Sequence, residues 1–142
     1  MSDSRNHPGS RRILVSGSVA FDTIMVFDGR FEDHILPDRA HVLNISFLTP
    51  RLKREYGGCA ANIAYNLRGL GGEPVILAAV GHDAAEYVER LRAMGIDTSA
   101  IRVEESHYTA QAFITTDLAD NQINAFHPGA MSVAHRVSVA SA

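Results

Sequence analysis

The residues with the clearest chemical potential lie between Tyr56 and Gly72, where two adjacent glycines lead directly into a helical pattern. Glycines before a helix let a ligand approach the bare backbone, and the first helical turn offers N–H groups without helical partners. Together with the helix dipole, such donors suit hydroxyl or anionic oxygens. We therefore take Gly57 and Gly58 as candidate binding residues. Asn62 is a third candidate, since its amide could add a donor and an acceptor. The alternative is an ordinary tight turn followed by a solvated asparagine.

A second candidate group is the carboxylate of Asp22, which follows the apolar run 12–19 and precedes a second apolar run, 24–27. In open α/β sheets, ligands bind beyond the carboxyl ends of the strands. The residues alone leave two interpretations open, because an aspartate at such a junction also forms Asx turns.

Several other chemistries are excluded by spacing. The glycine pair lacks the lysine of a phosphate-binding P-loop and the G-x-G-x-x-G pattern of dinucleotide sites. The seven histidines show no metal-ligand spacing, so no metal site is predicted. The single cysteine, Cys59, excludes an internal disulfide and indicates a reducing, cytoplasmic location. Its place at a helix start favours a thiolate, but a small packing residue is the preferred interpretation.

The composition indicates one domain with a real core: 142 residues, 46% hydrophobic, with a net charge of −3. The acidic balance gives no reason to expect nucleic acid as a partner. No apolar run reaches the length of a membrane span. Residues 1–11 are predicted to be a disordered tail.

Alternating strand and helix patterns position the candidate residues, as in an α/β fold with a parallel sheet. Ala60, Ile63, Ala64, Leu67 and Leu70 are predicted to form one apolar helix face that ends at Gly71. The predicted strands cover 12–19, 73–80 and 101–103, with a hairpin over 109–116 and 121–126. A second helix begins near Asp83, which is predicted to cap it with Glu86, and ends at Gly95.

The segment 28–55 is too long for a structureless loop in a compact domain, so we predict extended strands within it, for example over 42–48. The basic run 51–54 is interpreted as a solvated strand face. On the hairpin, Gln111 and Phe126 are weaker binding candidates, and Gln122 and Asn124 could also face a ligand. Ordinary exposed positions on an antiparallel sheet are the preferred alternative.

Three ordered motifs together resemble the PfkB/ribokinase-like sugar and nucleoside kinases: Asp22-Thr23-Ile24-Met25, the stretch from Gly57 to Asn62, and the stretch from Gln122 to Ala130. The resemblance covers about residues 12–131 and is greatest to the bacterial adenosine/nucleoside kinase branch. It implies a three-layer α/β/α fold with a small β-sheet lid, whose strands lie within about 23–56 and 108–127. Residues 12–142 would form the N-terminal part of such a domain.

The resemblance also implies roles. Asp22 would bind sugar hydroxyls, with Gly57, Gly58 and Asn62 completing the acceptor site for a sugar or nucleoside. Ala20 stands where many ribokinases have asparagine, which disfavours ribose itself. Such enzymes transfer the terminal phosphoryl group of ATP, with Mg²⁺, to a hydroxyl. Many family members form dimer contacts through the lid strands, so a homodimer is expected.

The family's second signature, which supplies the catalytic base and the anion hole, has no counterpart in this sequence. We therefore expect the acceptor-binding half of a kinase, with no catalytic, ATP-binding or metal residue of its own, and inactive alone. Two alternatives remain: a non-catalytic nucleoside- or sugar-binding module, and an oligomerisation module without a ligand.

Overall fold

The computed structural model describes residues 12–35 and 44–141. These residues form two β-sheets and two α-helices, with short 3-10 segments at Phe31–Asp33, Gly129–Arg136 and Val139–Ser141. The strands are β1 (Arg12–Ser16), β2 (Ala20–Val26), β3 (Arg51–Gly57), β4 (Glu73–Gly81), β5 (Ile101–Glu104), β6 (Ala110–Thr116) and β7 (Gln122–His127). The helices are α1 (Cys59–Gly69) and α2 (Ala85–Ala93).

The first sheet is parallel, with the strand order β1-β4-β5. Its central strand β4 is buried from Pro74 to Gly81, as expected for a parallel strand covered on both faces. One face packs against the helices in a core that includes Val15, Ile76, Val80 and Leu91. The opposite face carries a smaller cluster of Val75, Leu77 and Ala100, against which Val137 packs. The predicted α/β class with a parallel sheet is confirmed.

The predicted helices are present, and of the predicted apolar face of α1, Ala60, Ala64 and Leu67 pack into the core. Ala60, Ala61 and Ala64 are its buried residues. Ile63 is 49% exposed and Leu70 is 85% exposed, so the prediction that they belong to this apolar face is wrong. The reason is that α1 packs through its alanines, whose small side chains let the helix lie close to the sheet. The predicted stop is confirmed: Gly71 has φ +84°, and the Gly72 N–H donates to the Leu67 carbonyl at 2.9 Å.

The edge strand β1 is less buried than predicted. Val15 faces the core at 7% exposure, whereas Ile13 and Leu14 remain 41% and 38% exposed. Within the described residues β1 pairs on one side only, with β4, so its side chains lack neighbours on the other side.

The second sheet has the strand order β3-β2-β6-β7. β2 and β6 are parallel, whereas β3 and β7 are antiparallel to their neighbours, and β6–β7 is the predicted hairpin. The strand predicted over 42–48 is wrong for 44–48, which are not in a strand, and 42–43 lie outside the described residues. Phe47 instead packs on Phe27 and Phe31, with ring centroids 4.8 and 4.9 Å apart.

Candidate functional site

Asp22 lies within β2, near the end of the second sheet that adjoins α1, rather than in a turn between two strands. The strand register places it beside Glu55 of β3 and Ala112 of β6, and Ala112 in turn lies opposite Phe126 of β7. Residues side by side in a sheet share a face, so Asp22 and Phe126 lie on one face with a small alanine between them. Phe126 is 56% exposed there.

The carboxylate of Asp22 lies against the backbone of Gly57. A Cβ built on Gly57 would overlap both Oδ2 and Cγ of Asp22. A Cβ on Gly58 would lie only 2.5 Å from the Ser18 carbonyl oxygen, and Gly58 has φ +94°. Both positions therefore require glycine, the first for space and the second for space and conformation. The structure thus brings together Asp22, Gly57 and Gly58, which the sequence placed 35 and 36 residues apart.

The start of α1 differs from the expectation of free N–H donors. The Cys59 N–H donates to Ser18 Oγ at 3.0 Å, and the Ala60 N–H donates to the Ser18 carbonyl at 3.0 Å. Ser18, two residues beyond the end of β1, therefore caps a helix that begins 41 residues further along the chain. Its hydroxyl and backbone N–H also approach Cys59 Sγ at 3.4 Å and lower the pKa of the thiol. The N–H groups of Cys59 and Ala60 are therefore used within the protein.

Tyr87 of α2 contacts the backbone of the glycine pair. Its buried hydroxyl donates to the Gly57 carbonyl at 2.7 Å. Burial, followed by the nearby negative charge of Asp22, raises the pKa of Tyr87 to about 12, so it stays a neutral donor. The rings of Phe21 and Tyr56 pack around it, with centroids 5.5 and 4.6 Å away. Neither Tyr87 nor Ser18 was predicted from the sequence, where both read as ordinary packing or strand-end residues.

Gln111 lies on the opposite face of the second sheet from Asp22, because it pairs with Phe21, the neighbour of Asp22 in β2. It lines an open cleft of about 640 Å³. The cleft is lined by Thr23, Arg54, Asp83, Tyr108, Gln111, Phe113 and His127. The structure therefore does not bring Gln111 to the Asp22 face.

Asn62 lies in the first turn of α1, and its N–H donates to the Gly58 carbonyl at 3.0 Å. It is exposed on α1 and lines a smaller cleft of about 190 Å³, together with Tyr65, Arg90 and Met94 among others. Its backbone carbonyl accepts a hydrogen bond from Asn66 Nδ2 at 2.8 Å.

Asp83 is not a helix cap, contrary to the sequence-based expectation. The N-cap position of α2 is Ala84, without a side-chain hydrogen bond. Asp83 Oδ1 instead accepts two hydrogen bonds from Thr109, from the N–H and from Oγ1, both at 2.7 Å. Its other oxygen lies 3.7 Å from Arg54, whose guanidinium stacks 3.6 Å above the Phe21 ring. Residues 51–54 are all exposed, as expected for a solvated strand face, and Arg54 in addition contacts Asp83 and Phe21.

Within residues 12–35 and 44–141, no three histidine, cysteine, aspartate or glutamate side chains lie close enough together to hold a metal ion. In the same part of the chain, no helix has the length and apolar character needed to cross a membrane.

A family model described as pfkB family carbohydrate kinase matches residues 19–139. The chain belongs to this family. The match includes every candidate residue, from Asp22 to Phe126, in a single continuous stretch.

Relatives in the pfkB family point to nucleoside kinases. The chain is 34% identical over 122 residues to a nucleoside kinase of Methanothermobacter thermautotrophicus. A solved structure of Burkholderia thailandensis nucleoside kinase in complex with inosine is 48% identical, with a TM-score of 0.74, and the same enzyme has been solved in complex with ADP-inosine. The Methanocaldococcus jannaschii nucleoside kinase, an archaeal member of the ribokinase family, is 31% identical, with a TM-score of 0.72. The fold is thus that of the ribokinase family.

The chain is short beside these relatives. The matches cover 84%, 88% and 85% of this chain but only 36%, 39% and 38% of the three relatives, respectively. The fold described above is accordingly an incomplete ribokinase-type domain.

Proposed function

We propose that this chain carries the acceptor-binding part of a nucleoside kinase and that its face around Asp22 binds the sugar of a nucleoside. The observation that carries the proposal is the position of Asp22 against Gly57, on an open sheet face that also holds Phe126. The inosine complex of the Burkholderia relative supports a nucleoside as the ligand.

The chemistry of Asp22 suits a sugar. An ionised carboxylate accepts hydrogen bonds through two oxygens, and a pair of neighbouring sugar hydroxyls presents two matching donors. Ala112 leaves room between Asp22 and Phe126, and a half-exposed aromatic ring offers a stacking surface for a base. Gly57 keeps the carboxylate in place, because any larger residue would displace it.

The phosphoryl donor would be ATP with Mg²⁺, by analogy with the family. Within the described residues no three histidine, cysteine, aspartate or glutamate side chains lie together, so no site there would hold Mg²⁺ through protein side chains alone. We therefore assign no ATP, Mg²⁺ or catalytic-base role to any residue of this chain. Phosphoryl transfer would then require the regions of the relatives that the matches do not cover, and residues 1–142 by themselves would bind without turnover.

The test is calorimetric titration of the purified chain with inosine, adenosine, ribose and fructose 6-phosphate, followed by an ATP-hydrolysis assay with each. We expect binding of the nucleosides in preference to the free sugars, and no ATP turnover. Binding of none of the four would contradict the proposal. Measurable turnover would contradict its second half.

A homodimer is the second part of the proposal, supported by the apolar face opposite Asp22. Along one row of the second sheet, Leu52 is 67% exposed and Ile123 is 43% exposed, and Phe113 in the adjacent row is 39% exposed. Analytical ultracentrifugation of the chain and of Ile123→Asp tests this assembly. We expect a dimer that the substitution converts to a monomer, and a wild-type monomer would contradict the assignment.

A further inference from the structure

A set of hydrogen bonds among Gly81, Asp83 and Thr109 connects the two sheets. Gly81 is the last residue of β4, and Thr109 immediately precedes β6. The Gly81 N–H donates to Thr109 Oγ1 at 3.0 Å, and Thr109 Oγ1 donates in turn to Asp83 Oδ1 at 2.7 Å. The Thr109 N–H donates to the same oxygen, also at 2.7 Å. One threonine, itself fully buried, thus ties the end of the first sheet to the start of a strand of the second.

The segment 107–109 is held from two sides. The His82 N–H donates to the His107 carbonyl at 3.1 Å, and the Ala130 N–H donates to the Tyr108 carbonyl at 2.8 Å. A Cβ on Gly81 would overlap the backbone of Tyr108 and Thr109, so the crossing is too close for any side chain at this position. Residues 107–109, which lead into β6, are therefore held against the end of β4.

The second oxygen of Asp83 contacts a different strand of the second sheet. It lies 3.7 Å from Arg54 in β3, and the Arg54 side chain is 48% exposed. The Asp83 side chain is 20% exposed, so this ion pair is far less buried than the bonds to Thr109. One carboxylate thus makes a short, partly buried connection to β6 and a longer, exposed one to β3.

We propose that Asp83 is a positioning residue that sets the angle between the second sheet and the first, and thereby the place of Asp22. Its bonds to Thr109 fix the chain where β6 begins, and its ion pair with Arg54 adds a second contact, to β3. Asp83 itself contacts no substrate in this account. Only the effect on ligand binding rests on the proposed nucleoside site.

Hydrogen–deuterium exchange tests the local part directly. In Asp83→Ala and Thr109→Val, we expect amides of 107–112 to exchange about tenfold faster, since each variant loses two of the hydrogen bonds between Gly81, Asp83 and Thr109. Amides of 75–80 in β4 should change much less. Asp83→Asn keeps an acceptor oxygen for Thr109, and Thr109→Ser keeps the hydroxyl, so both should restore slow exchange. Glu89→Gln on α2 is the matched control. It removes a charge from a side chain that is 69% exposed, and it should leave the exchange of both regions unchanged.

Unchanged exchange at 107–112 in Asp83→Ala would overturn the proposal. Exchange that rises equally in β4 would also overturn it, because Asp83 would then contribute only to global stability. Titration of inosine into Asp83→Ala and Arg54→Gln gives the second readout, and we expect weaker binding in both. If the wild-type chain binds no inosine, the nucleoside proposal fails, whereas the exchange result still decides the role of Asp83.

Discussion

The carboxylate of Asp22 fills the space beside Gly57 that a side chain would otherwise occupy. The position of the Asp22 side chain on β2 therefore requires a glycine at position 57 on β3, which gives the first prediction. In Gly57→Ala the new methyl group would displace the carboxylate. We expect the affinity for inosine to fall about tenfold or more, as hydrogen bonds to a charged group are lost. Calorimetric titration measures the change.

Gly69→Ala is the matched control for that substitution. Gly69 is the last residue of α1, and a Cβ there would meet no heavy atom within 4 Å. The change should leave binding intact and should stabilise the helix by up to about 1 kcal/mol. If both variants bind inosine as the wild type does, Gly57 does not position Asp22.

The second prediction concerns Ser18 and the start of α1. In Ser18→Ala the Cys59 N–H loses its acceptor. We expect the free energy of unfolding to fall by about 1 kcal/mol, the usual effect of removing a helix cap. The pKa of the Cys59 thiol should rise, because the Ser18 hydroxyl is the largest cause of its lowered value. Chemical denaturation and the pH dependence of alkylation measure the two effects. A thiol pKa unchanged by the substitution would contradict this assignment.

The third prediction concerns Tyr87. In Tyr87→Phe the buried Gly57 carbonyl loses its donor, and we expect a loss of stability of about 1 kcal/mol. Because the pKa of Tyr87 is raised to about 12 in the folded state, its contribution is complete below the unfolded pKa of about 10 and is lost as the pH rises towards 12. Ultraviolet titration of the phenolates checks the value. A wild-type chain in which every tyrosine ionises near pH 10 would contradict it.

The fourth prediction concerns Asp117, at the hairpin end of the second sheet. It is 5% exposed and accepts hydrogen bonds from the backbone of Phe31, Ala119 and Asn121 and from the side chain of Asn121. Burial alone would raise its pKa, but these bonds outweigh burial and lower the pKa to about 2.

Since the folded pKa of Asp117 lies below the unfolded value of about 4, its stabilising effect is present above pH 4. The effect should disappear as the pH falls from 4 towards 2. Asp117→Asn should therefore be less stable than the wild type at pH 7, with a difference that shrinks at low pH. Denaturation curves at several pH values test this, and a difference independent of pH would count against it.

Local sequence patterns were enough to predict most of the elements. The buried run 73–80, the helix stops at Gly71 and Gly95 and the hairpin ending near His127 are all present. These features depend on apolar periodicity and on glycine conformation, both of which are local. The resemblance of three short motifs then indicated the family.

What could not be predicted depends on contacts between distant residues. Asp83 has the spacing of a cap, yet its partner is Thr109, 26 residues later. Ser18 caps a helix that begins 41 residues later in the chain. Gln111 carries a suitable group, but the sheet register places it on the face opposite Asp22. Register is set by tertiary pairing, and a shift of one residue moves a side chain to the other face.

The most direct test of the central claim is the affinity of the chain for inosine in the wild type and in Asp22→Asn. The asparagine keeps the size of the side chain and removes its charge. Circular dichroism of both proteins serves as the control for retention of the fold. We predict that inosine binds to the wild type and that the variant binds it about tenfold more weakly or worse, because neutral acceptors form weaker hydrogen bonds than carboxylates. Equal affinities in the two proteins would contradict the assignment of Asp22 as the residue that holds the nucleoside.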